Sequence, residues 1–222
     1  MLAQDFRIMR GLYAIVDTQS LARRGIELLP FARAVLAARP ALLQLRAKEL
    51  GARETLAILR ALRGECREAG VPLFANDRPD LAALAECDGV HVGQGDLDVA
   101  DVRTFAAGLR VGVSSHDDRE LERALAARPD YVAFGPVFGT VSKQNPDPMV
   151  GLDGLARAAA RARGAGVPLV AIGGIDRERA AQVARHAELG AVIAELLPRD
   201  GEGLEAVSER ARALHHALVG SP

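Results

Sequence analysis

An eightfold alternation between two kinds of segment constrains this chain more than any other feature. Short apolar runs rich in Val, Ile and Leu recur as LYAIVD (12–17), ALLQLRA (41–47), PLFAND (72–77), GVHVG (89–93), RVGVSS (110–115), YVAFGPVF (131–138), PLVAIGGI (168–175) and AVIAELL (191–197). Each is followed by a longer Ala/Arg/Glu/Leu segment with apolar residues at helical spacing, over about 26–38, 52–69, 79–86, 98–107, 117–127, 151–164, 176–187 and 202–218. Asp117 and Asp176 stand where helix caps belong. Gly-Val-Pro (70–72, 166–168) and Arg-Pro (39–40, 128–129) stop helices ahead of strand entries. No linker or change of composition divides the units. The pattern therefore predicts one α/β domain over residues 1–222, a closed (β/α)8 TIM barrel with frayed ends at about 1–10 and 219–222. The competing architecture is an open doubly wound sheet, which asks for a GxGxxG turn after the first strand; residues 17–25 read DTQSLARRG.

Composition narrows the function. Hydrophobic residues make up 49% of the 222, tryptophan is absent and aromatics are 4%, so the expected core is Leu, Val, Ile and Ala. A net charge of −1 argues against sequence-independent nucleic-acid binding, and any attraction for anions must come from a local cluster. Cys66 and Cys87 show no CxxC spacing and fit buried bystander thiols in a reducing cytoplasm. MLAQDFRIMR lacks the apolar stretch of a signal peptide, and no run of about eighteen apolar residues suggests a membrane span. The partners expected are small molecules.

In such a barrel the reactive groups gather at the C-terminal strand ends. Strand two ends QLRAK; alternation puts Gln44, Arg46 and Lys48 on one face toward the mouth, and Leu43 and Leu45 toward the helices. With no acid inside the strand, the two cations call for an anionic partner. Strand three ends Asn76-Asp77 and strand four HVGQGD. Asp77 and Asp96 can then face one site and, with Asn76 and Gln94 as oxygen donors, form a hard-ligand set suited to Mg²⁺. The competing reading makes each acid a helix cap, with Pro79 at the first helical position after Asp77. Gly93 and Gly95 offer positive φ and a close backbone approach.

Strand five ends GVSSH. It supplies Ser114 and Ser115 as donors and His116 as a possible base, with no G-x-S-x-G elbow for nucleophilic hydrolysis. The long loop FGPVFGTVSKQNPDP (134–148) carries Thr140, Ser142 and Lys143, a phosphate cradle on a lid-like segment. Gly173-Gly174 and the end of strand eight supply a second oxyanion nest. Two phosphate-bearing groups thus share one mouth. One is a diphosphate held by Mg²⁺, Arg46, Lys48 and Lys143, and no strong nucleophile stands beside it.

Taken in order, QLRAK, AND, HVGQGD, GVSSH, FGPVFGTVSK and AIGGI resemble the thiamine-phosphate synthase (thiamine-phosphate pyrophosphorylase) family over residues 13–194. The resemblance implies a transferase. 4-Amino-5-hydroxymethyl-2-methylpyrimidine diphosphate would lose diphosphate by a dissociative, Mg²⁺-assisted path, and the nitrogen of 4-methyl-5-(2-phosphoethyl)thiazole would attack. It implies Gln44, Arg46, Lys48, Asn76, Ser114 and Lys143 as contacts to the pyrimidine diphosphate, with Arg46, Lys48, Ser114 and Lys143 catalytic. It further implies Asp77 and Asp96 as Mg²⁺ ligands, and Thr140, Ser142, Gly174 and the backbone at Ile193 and Ala194 as thiazole-phosphate contacts. A homodimer is plausible on the same basis. The family usually carries serine at the position of Ala194 and a small residue at that of Glu195, so the thiazole side departs from the pattern. Two alternatives follow: a thiazole tautomerase using a base such as His116, or a non-catalytic binding barrel.

Overall fold

A computed structural model of the chain describes residues 9–139 and 148–220. Eight strands, β1 Gly11–Asp17, β2 Leu42–Arg46, β3 Leu73–Asn76, β4 Gly89–Val92, β5 Arg110–Ser115, β6 Tyr131–Phe134, β7 Leu169–Ile172 and β8 Leu189–Val192, pair in chain order and close on themselves. Every pairing is parallel, including β8 back onto β1. The helices are α1 Thr18–Ala22, α2 Leu28–Leu36, α3 Ala52–Ala69, α4 Pro79–Leu84, α5 Val99–Phe105, α6 Asp118–Ala126, α7 Gly151–Ala165, α8 Arg177–Val183 and α9 Leu204–Val219. The closed barrel and its eight strand–helix units are those the periodicity predicts.

Several boundaries differ. α1 is a five-residue helix inside DTQSLARRG, started by Asp17, whose side chain accepts the Ser20 N–H at 2.8 Å. The eighth strand ends at Val192, and Ala194–Leu196 form a 3-10 turn rather than continuing the run AVIAELL. α8 stops at Val183, four residues short of the expected end. Asp117 and Asp176 cap as expected, accepting the N–H of Glu120 at 2.8 Å and of Arg179 at 2.9 Å.

Outward residues such as Leu43, Leu45, Ala75, Val90 and Val113 pack with the helices in the larger apolar cluster. The barrel interior is a separate cluster that includes Met9, Tyr13, Ile15, Leu42, Phe74, Tyr131, Ala133 and Val170. The core as a whole is mostly Leu, Val, Ile and Ala, as expected, and the interior adds aromatic rings to them. Three aromatic rings fill it, and glycines at the paired register make room for two of them. Gly89 pairs with Phe74, and Gly112 with Tyr131. A Cβ at Gly112 would lie 2.0 Å from Tyr131 Cζ, so no larger residue fits without displacing the ring. Tyr13 and Tyr131 meet edge to face, with centroids 5.9 Å apart and planes at 86°. Cys66 and Cys87 are buried and unpaired, and burial pushes both thiols up to about 12. Among the described residues no helix is long and apolar enough to cross a membrane.

Candidate active site

A cavity of about 700 Å³ opens at the C-terminal ends of the strands. It collects Gln44, Arg46 and Lys48 from β2 and its exit, Asn76 and Asp77 from β3, Asp96 after β4 and Ser114 from β5. Gly174, Ile193 and Ala194 line its other side. Thr140, Ser142 and Lys143 lie outside the described residues. Tyr13, Ile15, His91 and Arg179 also line the cavity and were not anticipated.

The cations of β2 are not left waiting for a ligand. Arg46 pairs with Asp17, a buried carboxylate at the end of the neighbouring β1, facing it in register. Lys48 Nζ lies 3.1 Å from Asp77 Oδ2. The protein supplies its own counter-anions from adjacent strands, which corrects the inference drawn from β2 alone. The Lys48 side chain keeps half its surface exposed, so it remains within reach of an incoming anion.

Asp77 is not a helix cap. The N-cap of α4 is Arg78, with no side-chain cap bond, and Pro79 follows at the first helical position. Asp77 itself sits at φ +61°, in the left-handed region that non-glycine residues rarely occupy. Its N–H still reaches back to the His91 carbonyl at 2.8 Å, extending the ladder by one bond. Backbone strain of this kind holds a carboxylate in a direction that a relaxed strand end would not give it. Burial raises the Asp77 pKa most; nearby Lys48 opposes this, and Asp96 adds to the rise. The two carboxylates therefore act on each other at short range. Asp96 accepts the Gly93 N–H at 2.8 Å, and the cap of α5 is Asp98.

Gln94 does not offer an oxygen to this pair. Its Oε1 accepts from Arg123 at 3.2 Å and its Nε2 donates to the Ser114 carbonyl at 2.6 Å, so it ties the loop to β5 and α6. Gly93 and Gly95 are not among the positive-φ residues, contrary to expectation. Ser115 faces away and donates to the Ala133 carbonyl at 2.9 Å. His116 is engaged by Glu120, whose Oε2 is 2.8 Å from both its backbone N and its Nδ1.

Asn76 Nδ2 is buried with no hydrogen-bond partner. An unpartnered buried donor costs about 1–3 kcal/mol, a penalty that a ligand acceptor in the cavity would remove. Across the mouth, Gly174 has φ +61°, and a Cβ there would lie 2.3 Å from the Gly139 carbonyl oxygen. Arg179 donates to the Gly174 carbonyl at 2.8 Å, approaches Asp176 at 3.4 Å and covers the Phe138 ring at 4.8 Å. Glu195 is met by Arg199 at 3.2 Å and Arg210 at 3.9 Å, which offsets the charge an acid would bring near a phosphate.

A closed parallel barrel with cations, paired carboxylates and an unsatisfied amide donor in one mouth defines the class of (β/α)8 enzymes that take anionic substrates at their strand ends. Its relatives narrow that class. Residues 12–196 match the family described as thiamine monophosphate synthase. A thiamine-phosphate synthase of Koribacter versatilis is 42% identical over 200 residues, covering 88% of this chain and 92% of that one. One of Roseiflexus is 36% identical over 212 residues, covering 95% and 86%. The solved thiamine phosphate pyrophosphorylase of Pyrococcus furiosus superposes with a TM-score of 0.79 at 27% identity, covering 94% of this chain and 95% of that one. The chain belongs to the thiamine-phosphate synthase family.

Proposed function

We infer that this chain is a transferase that joins 4-amino-5-hydroxymethyl-2-methylpyrimidine diphosphate to 4-methyl-5-(2-phosphoethyl)thiazole, giving thiamine phosphate and diphosphate. Family membership supports the reaction. The observation that carries the assignment of the site is the gathering of Arg46, Lys48, the unpartnered Asn76 amide, Asp77 and Asp96 around one cavity.

The donor set fits Mg²⁺. Asp77 and Asp96 are hard oxygen ligands; among the described residues no group of three His, Cys, Asp or Glu could hold a metal by itself, so water and phosphate oxygens would have to complete the shell. Two carboxylates leave most of an octahedral shell to water and phosphate oxygens, as Mg²⁺ prefers. When bound, the metal would neutralise charge on the departing diphosphate. The remaining work falls to the chain's own groups. Arg46 is held in place by Asp17 and faces the diphosphate from β2. Lys48 exchanges part of its pairing with Asp77 for a phosphate oxygen. Asn76 donates its free N–H. Ser114 and Gln44 hold the pyrimidine ring, and Lys143 from the 134–148 segment adds a third cation. No nucleophile is needed in a dissociative path. Positioning and preorganised charge supply the rate enhancement. Gly174, Ile193 and Ala194 receive the thiazole phosphate with Thr140 and Ser142. Free, buried Cys66 and Cys87 suit a reducing cytoplasm, and a homodimer belongs to the same reading.

Mixing both substrates with Mg²⁺ and following diphosphate release tests this. Stoichiometric thiamine phosphate is the expected product. A protein that releases none at any substrate concentration is not this enzyme, and one that isomerises a carboxythiazole tautomer instead would be the alternative isomerase. His116 held by Glu120 and the presence of Gln44, Arg46, Lys48, Asn76, Asp77 and Asp96 in the cavity both support the synthase over that alternative.

A further inference from the structure

The cavity floor rests on a line of side chains that the substrate contacts above do not explain. Gln44 Nε2 donates to the Tyr13 hydroxyl at 2.8 Å. The Tyr13 and Tyr131 hydroxyls are 2.9 Å apart, and Tyr131 Oη is 3.0 Å from His91 Nδ1. His91 Nε2 is in turn 2.8 Å from Ser114 Oγ. The four bonds run through the barrel from β2 by way of β1, β6 and β4 to β5. Both end residues line the cavity, and the three between are buried. Tyr131 also stacks on the His91 imidazole, with centroids 5.6 Å apart and planes at 12°, which fixes the ring that joins the two halves.

The direction of such a chain is set by counting hydrogens. An amide nitrogen can only donate, so Tyr13 accepts from Gln44 and has one hydrogen to give. It gives that hydrogen to Tyr131, which then turns its own toward His91 Nδ1. The imidazole is neutral. Its partners in the chain are hydroxyls rather than carboxylates, and the ring is buried, so nothing in the chain stabilises an imidazolium. A neutral ring with its lone pair at Nδ1 carries its proton at Nε2, where it donates to Ser114 Oγ. The Ser114 hydrogen is then left to point into the cavity. The opposite direction would need the Gln44 amide turned over, with its carbonyl toward Tyr13 and its NH₂ toward the cavity.

We propose that Tyr13, Tyr131 and His91 are positioning residues that fix Ser114 as a hydrogen-bond donor to the pyrimidine substrate while Gln44 keeps its carbonyl oxygen free as an acceptor. This rests on the synthase reading, since it gives a direction to two of that reading's contacts. A floor with an acceptor at one end and a donor at the other suits a ring that offers an amino N–H and a ring-nitrogen lone pair. An aminopyrimidine has both.

The test has two arms. ¹⁵N NMR of the histidine-labelled protein without substrate reports the His91 tautomer directly. The expected result is a neutral ring protonated at Nε2; protonation at Nδ1, or at both nitrogens near pH 7, overturns the proposal whatever the enzyme makes. The second arm is a double-mutant cycle. Tyr131→Phe and Ser114→Ala each lower kcat/KM for the pyrimidine diphosphate about tenfold, and the double variant is no worse than Ser114→Ala alone. Losses that multiply to about a hundredfold would mean that Tyr131 acts independently of Ser114, which also overturns it. His91→Gln takes the place of Tyr131→Phe in the cycle if the latter does not fold. Wild-type protein that forms no thiamine phosphate sinks the synthase reading and the ligand assignment together, while the tautomer alone still decides the direction of the chain.

Discussion

Asp96 is the residue on which the metal reading turns. It caps no helix; its side chain accepts the Gly93 N–H at 2.8 Å and its own N–H donates to the Gly93 carbonyl at 3.3 Å, both within its own loop. Asp96→Ala should therefore cost at least about a hundredfold in Mg²⁺-dependent turnover, as expected for removing a metal ligand, and leave the thermal midpoint unchanged. Undiminished turnover would remove the metal from this position. Ala194 makes a gentler test. A hydroxyl restored to the thiazole phosphate is worth about 1.5–3 kcal/mol, so Ala194→Ser should lower the KM for the thiazole phosphate. An unchanged KM would show that another group, such as Arg179 on the same wall, already meets that phosphate. Residues on the polar face of β2 and at the ends of β3 and β4 were legible because alternation and strand-end position fix where they point. Asp17, Tyr13 and His91 were not. Asp17 closes an ordinary apolar run, and only the pairing of β1 with β2 brings it to Arg46. Tyr13 and His91 look like core residues until the β1–β8 closure brings their polar atoms together inside the barrel.

At the scale of elements, the eight strands were readable because each is short, apolar and bounded by proline or glycine. The end of β8 was not. AVIAELL is apolar almost throughout, and nothing in it marks the change at Ile193, which takes φ −115° and ψ −71° and turns the chain into the 3-10 segment. α1 escaped for a related reason, since five residues are too few to show a helical period. Caps, by contrast, act locally and were read correctly. Asp117 accepts the Glu120 N–H at the start of α6 and lies outside the proposed contacts. Asp117→Ala should lower stability by about 1 kcal/mol in urea melts with little change in kcat. Gly112 in β5 should be far less forgiving. Gly112→Ala would drive a methyl group into the Tyr131 ring at 2.0 Å, and overpacking of this kind costs about 1–3 kcal/mol. A shift of the urea midpoint smaller than that of Asp117→Ala would show that the ring moves freely, which the hydrogen bonds at its hydroxyl oppose.

For the whole molecule, the buried interior makes stability depend on pH in a definite direction. His91 has a folded pKa of about 4, below the ordinary 6.5, with burial as the largest cause. His215 is also lowered, chiefly by burial, and its Nδ1 accepts the Leu12 N–H at 3.2 Å. With folded values below the unfolded ones, the unfolded chain binds protons first as the pH falls. Stability is therefore fully present above about pH 6.5 and declines below it. For His91 the decline is about 1.4 kcal/mol per pH unit at its steepest, or up to about 2 kcal/mol between pH 6.5 and 5. Asp77, whose carboxyl is raised chiefly by burial, works the other way as the pH falls, so the His91 share is read from the difference between wild type and His91→Gln. Urea unfolding at pH 7 and pH 5 should show the loss in wild type, and His91→Gln should remove the larger part of it, leaving the share of His215. A wild-type protein equally stable at both values would require the folded barrel to take up the proton at His91. The Tyr131–His91–Ser114 bonds would then have to rearrange, and the enzyme would lose its oriented Ser114 in the same pH range in which its stability was preserved.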